Sequence, residues 1–154
     1  MGRGGSRPVS GRVYFDSSAL VKLYIVEPGS EDVQVRSKQA DEIILCPLQE
    51  TEVRNAILAA GGRGILNRTT MLKTLKNLES DLAQGFYERY QPEWPLIWNR
   101  SNELAVRHTP EILCRTLDIL HVAIAEISGC ACFVTGDERQ FRLSQAIGLD
   151  AKRI

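Results

Sequence analysis

The chain lacks any unbroken apolar run approaching the roughly 18 residues that span a bilayer, so no segment reads as a membrane helix. It has no excess of either charge: 19 Lys and Arg balance 19 Asp and Glu, for a formal net charge of +0. That excludes a surface coated in positive charge, and leaves room for a local basic patch beside an acidic pocket. Aromatic residues are only 6%, so few rings are free to stack on unpaired bases. Cysteine is sparse: Cys46, Cys114, Cys130 and Cys132. No stretch reads as a secretory signal peptide, and the chain is larger than the usual disulfide-stapled scaffold. Cys130-x-Cys132 has neither a second pair nor a nearby histidine to complete a zinc site. Reduced core thiols in a cytoplasmic protein are therefore expected.

What is present fits one domain. The 154 residues are 44% hydrophobic and 25% charged, enough to bury a core without disulfide or structural metal. Residues 1–11 are glycine-rich and lack an apolar core segment, so they read as a flexible leader, and residues 12–154 as the folded domain. Within that domain, strand-like and helix-like stretches alternate. Arg12-Val13-Tyr14-Phe15 is a short β-prone run, and an apolar helix opens after Asp16 and extends to Ile25. Ser30 is a candidate cap for the next helix, which carries Glu31 and Asp32 in its first turn. Ile43-Ile44-Leu45-Cys46 reads as a strand covered on both faces, followed by a helix from about Leu48 to Ala60. Met71, Leu75, Leu78 and Leu82 form one helical stripe. Trp94-Pro95-Leu96-Ile97-Trp98 reads as a short edge strand packing the sheet or a subunit interface, with a helix capped by Ser101 after it. A helix ending at Ile127, a strand over Cys130–Thr135, a helix over Glu138–Ile147 and a last strand after Gly148 complete the order. Such alternation predicts an α/β domain with a mostly parallel sheet, in which ligands sit beyond the carboxyl ends of the strands.

Four carboxylates occupy those ends. Asp16 follows the first strand, Glu52 lies near the start of the helix after the second, Asp137 follows Phe133-Val134-Thr135, and Asp118 lies early in the helix feeding that strand. Asp118 is conspicuous inside Leu117-Asp118-Ile119-Leu120, whereas Asp16 and Asp137 are equally good helix caps and Glu52 an ordinary surface acid. Together they form a cluster that needs a neutralising cation, and an oxygen-only donor set suits Mg²⁺ or Mn²⁺. An acidic pocket of that kind is suited to hydrolysing phosphodiesters.

The blocks Tyr14-Phe15-Asp16-Ser17-Ser18-Ala19-Leu20, Glu52-Val53-x-x-Ala56, Arg115-x-x-Asp118-x-Leu120-His121-x-Ala123 and Phe133-Val134-Thr135-x-Asp137 resemble, in order, the VapC-type toxins of the PIN-domain family. The resemblance spans Val13 to Leu149 and is weakest between Gly61 and Arg107. It implies a PIN-like three-layer α/β/α fold and Mg²⁺- or Mn²⁺-dependent cleavage of RNA by an activated water. Asp16 and Asp118 would be the principal metal ligands, with Glu52 and Asp137 binding directly or through water; Ser18 and Thr135 would support them. It further implies a cognate antitoxin that covers the acidic groove, often with an arginine, and a homodimer, for which the Leu66–Leu82 helix is a candidate interface.

Several assignments stay open at the level of sequence. Glu50, two residues before Glu52, points to a different helix face, and a small shift in phase would exchange their roles. Gly136 between Thr135 and Asp137 is a departure that loosens the turn. His121 reads as a structural hydrogen-bonding residue, and Arg115 as a phosphate or carboxylate partner or a plain surface cation. Arg63, Arg68, Lys73 and Lys76 form the best basic track for RNA, against the alternative of a solvated helix face. A phosphoreceiver domain is excluded because serines follow Asp16. A haloacid-dehalogenase-like phosphatase is excluded because Ser18 stands where it needs a second Asp. The remaining rival is a non-catalytic PIN-like module that binds RNA or protein.

Overall fold

The computed structural model describes residues 11–154; the leader, apart from its last residue, lies outside the described residues. Five strands are β1 (Arg12–Phe15), β2 (Glu42–Leu45), β3 (Glu88–Arg89), β4 (Cys132–Thr135) and β5 (Ala151–Arg153). They form one sheet in the order β3-β2-β1-β4-β5, and every pairing is parallel. The helices are α1 (Ser17–Leu20), α2 (Ser30–Gln39), α3 (Pro47–Gly62), α4 (Arg68–Ala83), α5 (Trp94–Ile112), α6 (Thr116–Ser128) and α7 (Glu138–Ala146).

Period-two alternation explains the layers. Tyr14, Ile44 and Phe133 point to one face, where residues of α5, α6 and α7 pack on them. Their neighbours Val13, Phe15, Ile43, Leu45, Cys132 and Val134 point to the other, against α1 to α4. Both faces are therefore covered, the three-layer α/β/α arrangement that continuous apolar strands demand. All four cysteines are free. No helix among the described residues is long and apolar enough to cross a membrane.

Several local expectations are corrected. Trp94–Trp98 is the start of α5 rather than a strand: Pro95 lies in the first turn, where its missing N–H costs no bond. Ile97, Ser101 and Leu104, spaced four and three apart, form the buried stripe, so Ser101 is inside the helix and caps nothing. Trp94 packs against the core and stacks on Trp98, which is half exposed. Gly29, in a left-handed conformation at φ 94°, caps α2 in place of Ser30. The hydroxyl of Ser30 instead accepts from Glu27 N–H at 3.0 Å. The first helix is shorter than expected, α1 giving way to a 3₁₀ turn over Val21–Leu23. The two-residue β3 has no apolar signature and is held by Arg12, whose guanidinium grips Glu88 at 2.6 and 2.7 Å. Finally, the Met71–Leu82 stripe is consumed inside the fold: Leu78 is buried, and Met71, Leu75 and Leu82 pack against the second core. The opposite side of α4, which includes Leu72, is exposed.

Candidate active site

The carboxyl ends of β1, β2 and β4 open on a cavity of about 400 Å³ whose walls include Asp16, Glu52, Asp118 and Asp137. Four acids separated by up to 121 positions in the chain are thus brought to one place. Each arrives by a local rule. Asp16 extends β1 by one residue, its N–H donating to Val134 O at 3.0 Å, and its Oδ1 caps α1 by accepting from Ala19 N–H at 2.9 Å. Asp137 caps α7, accepting from Gln140 N–H at 3.0 Å. Asp118 is the third residue of α6 and accepts from the Arg115 backbone N–H at 2.9 Å. Capping and cavity lining, alternatives in the sequence, coincide in the structure.

Two hydroxyls flank Asp16, that of half-buried Ser18 and that of buried Thr135. Ser18 Oγ reaches its two oxygens at 2.7 and 2.9 Å, and Thr135 Oγ1 donates to it at 2.8 Å. The same hydroxyls accept from the backbone of the turn, Ser18 from Gly136 N–H at 3.0 Å and Thr135 from Asp137 N–H at 2.9 Å. Gly136 is therefore part of a tied turn, and a Cβ there would come within 3.3 Å of Ser18 Oγ. Burial raises the Asp16 carboxyl above its ordinary value, although His121 and these donors oppose the rise. Glu52 behaves oppositely: burial pushes it up, but the hydrogen bond and charge of His121 outweigh that and leave it lowered. Burial likewise raises Asp118, and the side chain and backbone of Arg115, with Gln140, bring it below its usual range.

His121 is the structural residue expected, with one addition. Nε2 meets Glu52 Oε1 at 2.9 Å and Nδ1 meets Tyr14 Oη at 2.8 Å. A carboxylate only accepts, so Nε2–H donates to Glu52, while Nδ1 pairs with the Tyr14 hydroxyl, which can donate or accept. This chain fixes the direction of Glu52. Glu50, by contrast, pairs with Arg54 at 3.2 Å and Arg89 at 2.9 Å and does not line the cavity. Of the basic track, Arg63 lines an adjoining cleft of about 450 Å³ that shares Glu52 and Leu117 with the cavity. Arg68, Lys73 and Lys76 are exposed and line neither space.

Two residues of the site were not anticipated. Gln140 donates from Nε2 to Asp118 Oδ1 at 3.2 Å, while its own Oε1 is buried without a partner. Asp137-x-x-Gln140 is a helix-start signature, which was its one visible signal. Gln49, fully buried, donates to Phe15 O at 2.6 Å and Ile44 O at 3.2 Å and accepts from Cys46 N–H at 2.7 Å. It clamps the ends of β1 and β2, just before Asp16 and at the root of the helix bearing Glu52.

The donor set is all oxygen, converges from four elements and is negative in excess, which fits a hard divalent cation. As they stand, no three metal-binding side chains among the described residues gather closely enough to hold one. Instead the Arg115 guanidinium bridges Asp118 and Asp137.

A parallel α/β sheet with acids converging beyond its carboxyl ends defines the class. The chain matches the PIN domain over residues 13–145, and it belongs to that family. Its fold is similar to the crystal structure of FitAcB from Neisseria gonorrhoeae, with TM-score 0.64, 15% identity, and 90% of this chain and 95% of that chain covered. It is similar also to VapBC2 from Rickettsia felis bound to a DNA fragment from their promoter, with TM-score 0.64, 13% identity and coverage of 93% and 98%. PAE2754 from Pyrobaculum aerophilum aligns with TM-score 0.57, 19% identity and coverage of 92% and 91%. No curated protein matches the chain significantly.

Proposed function

We propose that the protein is a Mg²⁺- or Mn²⁺-dependent endoribonuclease that hydrolyses RNA phosphodiesters. The observation that carries this reading is the meeting of Asp16, Glu52, Asp118 and Asp137 on one cavity. Asp16 and Asp118 are the principal ligands, and Glu52 and Asp137 complete the set directly or through water. When bound, the cation supplies a more acidic water and offsets charge on the phosphoryl oxygens. The chain's own residues prepare that site. Ser18 and Thr135 orient both Asp16 oxygens, and His121, steadied by Tyr14, holds Glu52 toward the cavity. Arg63 in the adjoining cleft, which shares Glu52 with the cavity, offers a phosphate contact, and exposed Arg68, Lys73 and Lys76 lie outside both spaces.

The same reading includes a cytoplasmic toxin of a toxin–antitoxin pair, paired with an antitoxin protein and acting as a homodimer. Its support is family membership together with neighbours that carry the names FitAcB and VapBC2. The test is cleavage of a labelled mixed small-RNA pool by purified protein with Mg²⁺, Mn²⁺ or EDTA, beside Asp16→Asn. Metal-dependent cutting that the variant loses is the expected result. RNA retention without cutting in any metal would replace the enzyme with a binding module.

A further inference from the structure

The position of Arg115 has a consequence for metal loading. Its Nε lies 3.1 Å from Asp118 Oδ2, and its Nη2 lies 3.1 Å from Asp137 Oδ2 and 3.4 Å from Asp118 Oδ1. Two of the four acids are therefore engaged by a cation belonging to the chain itself. The side chain is not built in: it is 64% exposed, whereas Asp118 is 2% exposed. What holds Asp118 in place is separate. The backbone N–H of Arg115 and Gln140 Nε2 both donate to it, and neither depends on where the guanidinium goes. Gln140 Oε1 is also buried without a partner at the wall of this polar cavity, an unfavourable state for an amide oxygen.

We infer that Arg115 is an exchangeable counter-ion, which occupies Asp118 and Asp137 in the metal-free protein and must be displaced when a divalent cation enters. The inference rests on the metal-site reading above. A bare pair of carboxylates beside buried Asp16 would repel; the guanidinium suppresses that repulsion with a planar fork suited to bridging two carboxylates. A cation with higher charge density takes over the same role, and the exposed arginine swings to the cavity mouth, where a phosphate is its natural partner. Arg115 is thus a residue that sets metal affinity rather than one that holds metal.

The experiment is a Mn²⁺ titration followed by the electron paramagnetic resonance signal of free Mn²⁺, on full-length wild type, Arg115→Gln and Arg115→Lys. Losing the competitor should tighten Mn²⁺ binding about three- to tenfold in Arg115→Gln, the scale of one or two exposed ion pairs. Arg115→Lys, which keeps the charge, should stay within about twofold of wild type. A second readout does not depend on a variant folding: the Arg115 Nε–H resonance of ¹⁵N-labelled wild type should move with added Mg²⁺. Equal or weaker Mn²⁺ binding by Arg115→Gln, with an Nε–H resonance indifferent to Mg²⁺, overturns the inference and leaves the metal site standing. Absence of Mn²⁺ binding by wild type overturns the metal-site reading itself.

Discussion

Replacing Gln49 by methionine should do more damage than any surface change in this protein. The side chain is 0% exposed and makes three hydrogen bonds, two to the carbonyls of Phe15 and Ile44 and one from the N–H of Cys46. Methionine fills nearly the same volume, so little cavity forms, and the loss is polar. Three backbone groups at the inner ends of β1 and β2 are left without partners. Each buried orphan costs about 1–3 kcal/mol, and partial relaxation brings the sum to about 3–5 kcal/mol. In a domain of this size each kcal/mol lowers Tm by about 2–4 °C, so a fall of roughly 6–20 °C is expected. Urea unfolding followed by far-ultraviolet circular dichroism, in EDTA, measures it directly. Gln49→Glu is the companion variant: it keeps the Cys46 bond but sets a carboxylate against two carbonyls, and should be at least as destabilised. A loss below about 1 kcal/mol for Gln49→Met would refute the argument that this amide clamps the strand ends.

Further outcomes follow from the site. Burial raises the folded-state value of Asp16, so its favourable contribution is full at low pH and is lost as pH rises through that value. Asp16→Asn, which stays neutral, should therefore gain stability relative to wild type as pH rises from 4 to 8 in EDTA; urea titrations at both pH values check it, and a difference that does not move with pH contradicts it. Tyr14→Phe removes the hydroxyl from buried Nδ1 of His121 and should cost about 1–2 kcal/mol in the same assay, with no loss expected if that bond were absent. Glu52→Gln should lower metal-dependent cleavage at least about tenfold, whereas Glu50→Gln, whose partners are Arg54 and Arg89, should leave it near wild type. Equal losses in the two would mean that both acids act at the cavity.

The sequence by itself determined the alternation of elements and the positions of the acids along it. Both are local properties: strand residues that alternate between two apolar faces, and acids at strand ends that double as helix caps, are legible within a few residues. Asp16 and Asp137 could be placed beside a pocket because capping and strand direction are short-range rules. Trp94-Pro95-Leu96-Ile97-Trp98 was misread because five apolar residues around a proline fit a strand or a first helical turn equally. Only the stripe continuing through Ser101 and Leu104, packed on α6, selects the helix. The two-residue β3 carries no apolar strand signal, and its pairing depends on Leu45 and on the Arg12–Glu88 contact from a distant part of the chain.

Tertiary structure decided everything that depends on direction. Whether Glu52 or Glu50 faces the cavity follows from His121, which Tyr14 orients across 107 positions of sequence. Gln49 and Gln140 look like ordinary helix residues until the strand ends and Asp118 are brought to them. Arg115 becomes a bridge only because the sheet carries Asp137 to α6. A side chain's partners at long range depend on the path of the whole backbone, and that path is set by the packing of both faces of the sheet at once.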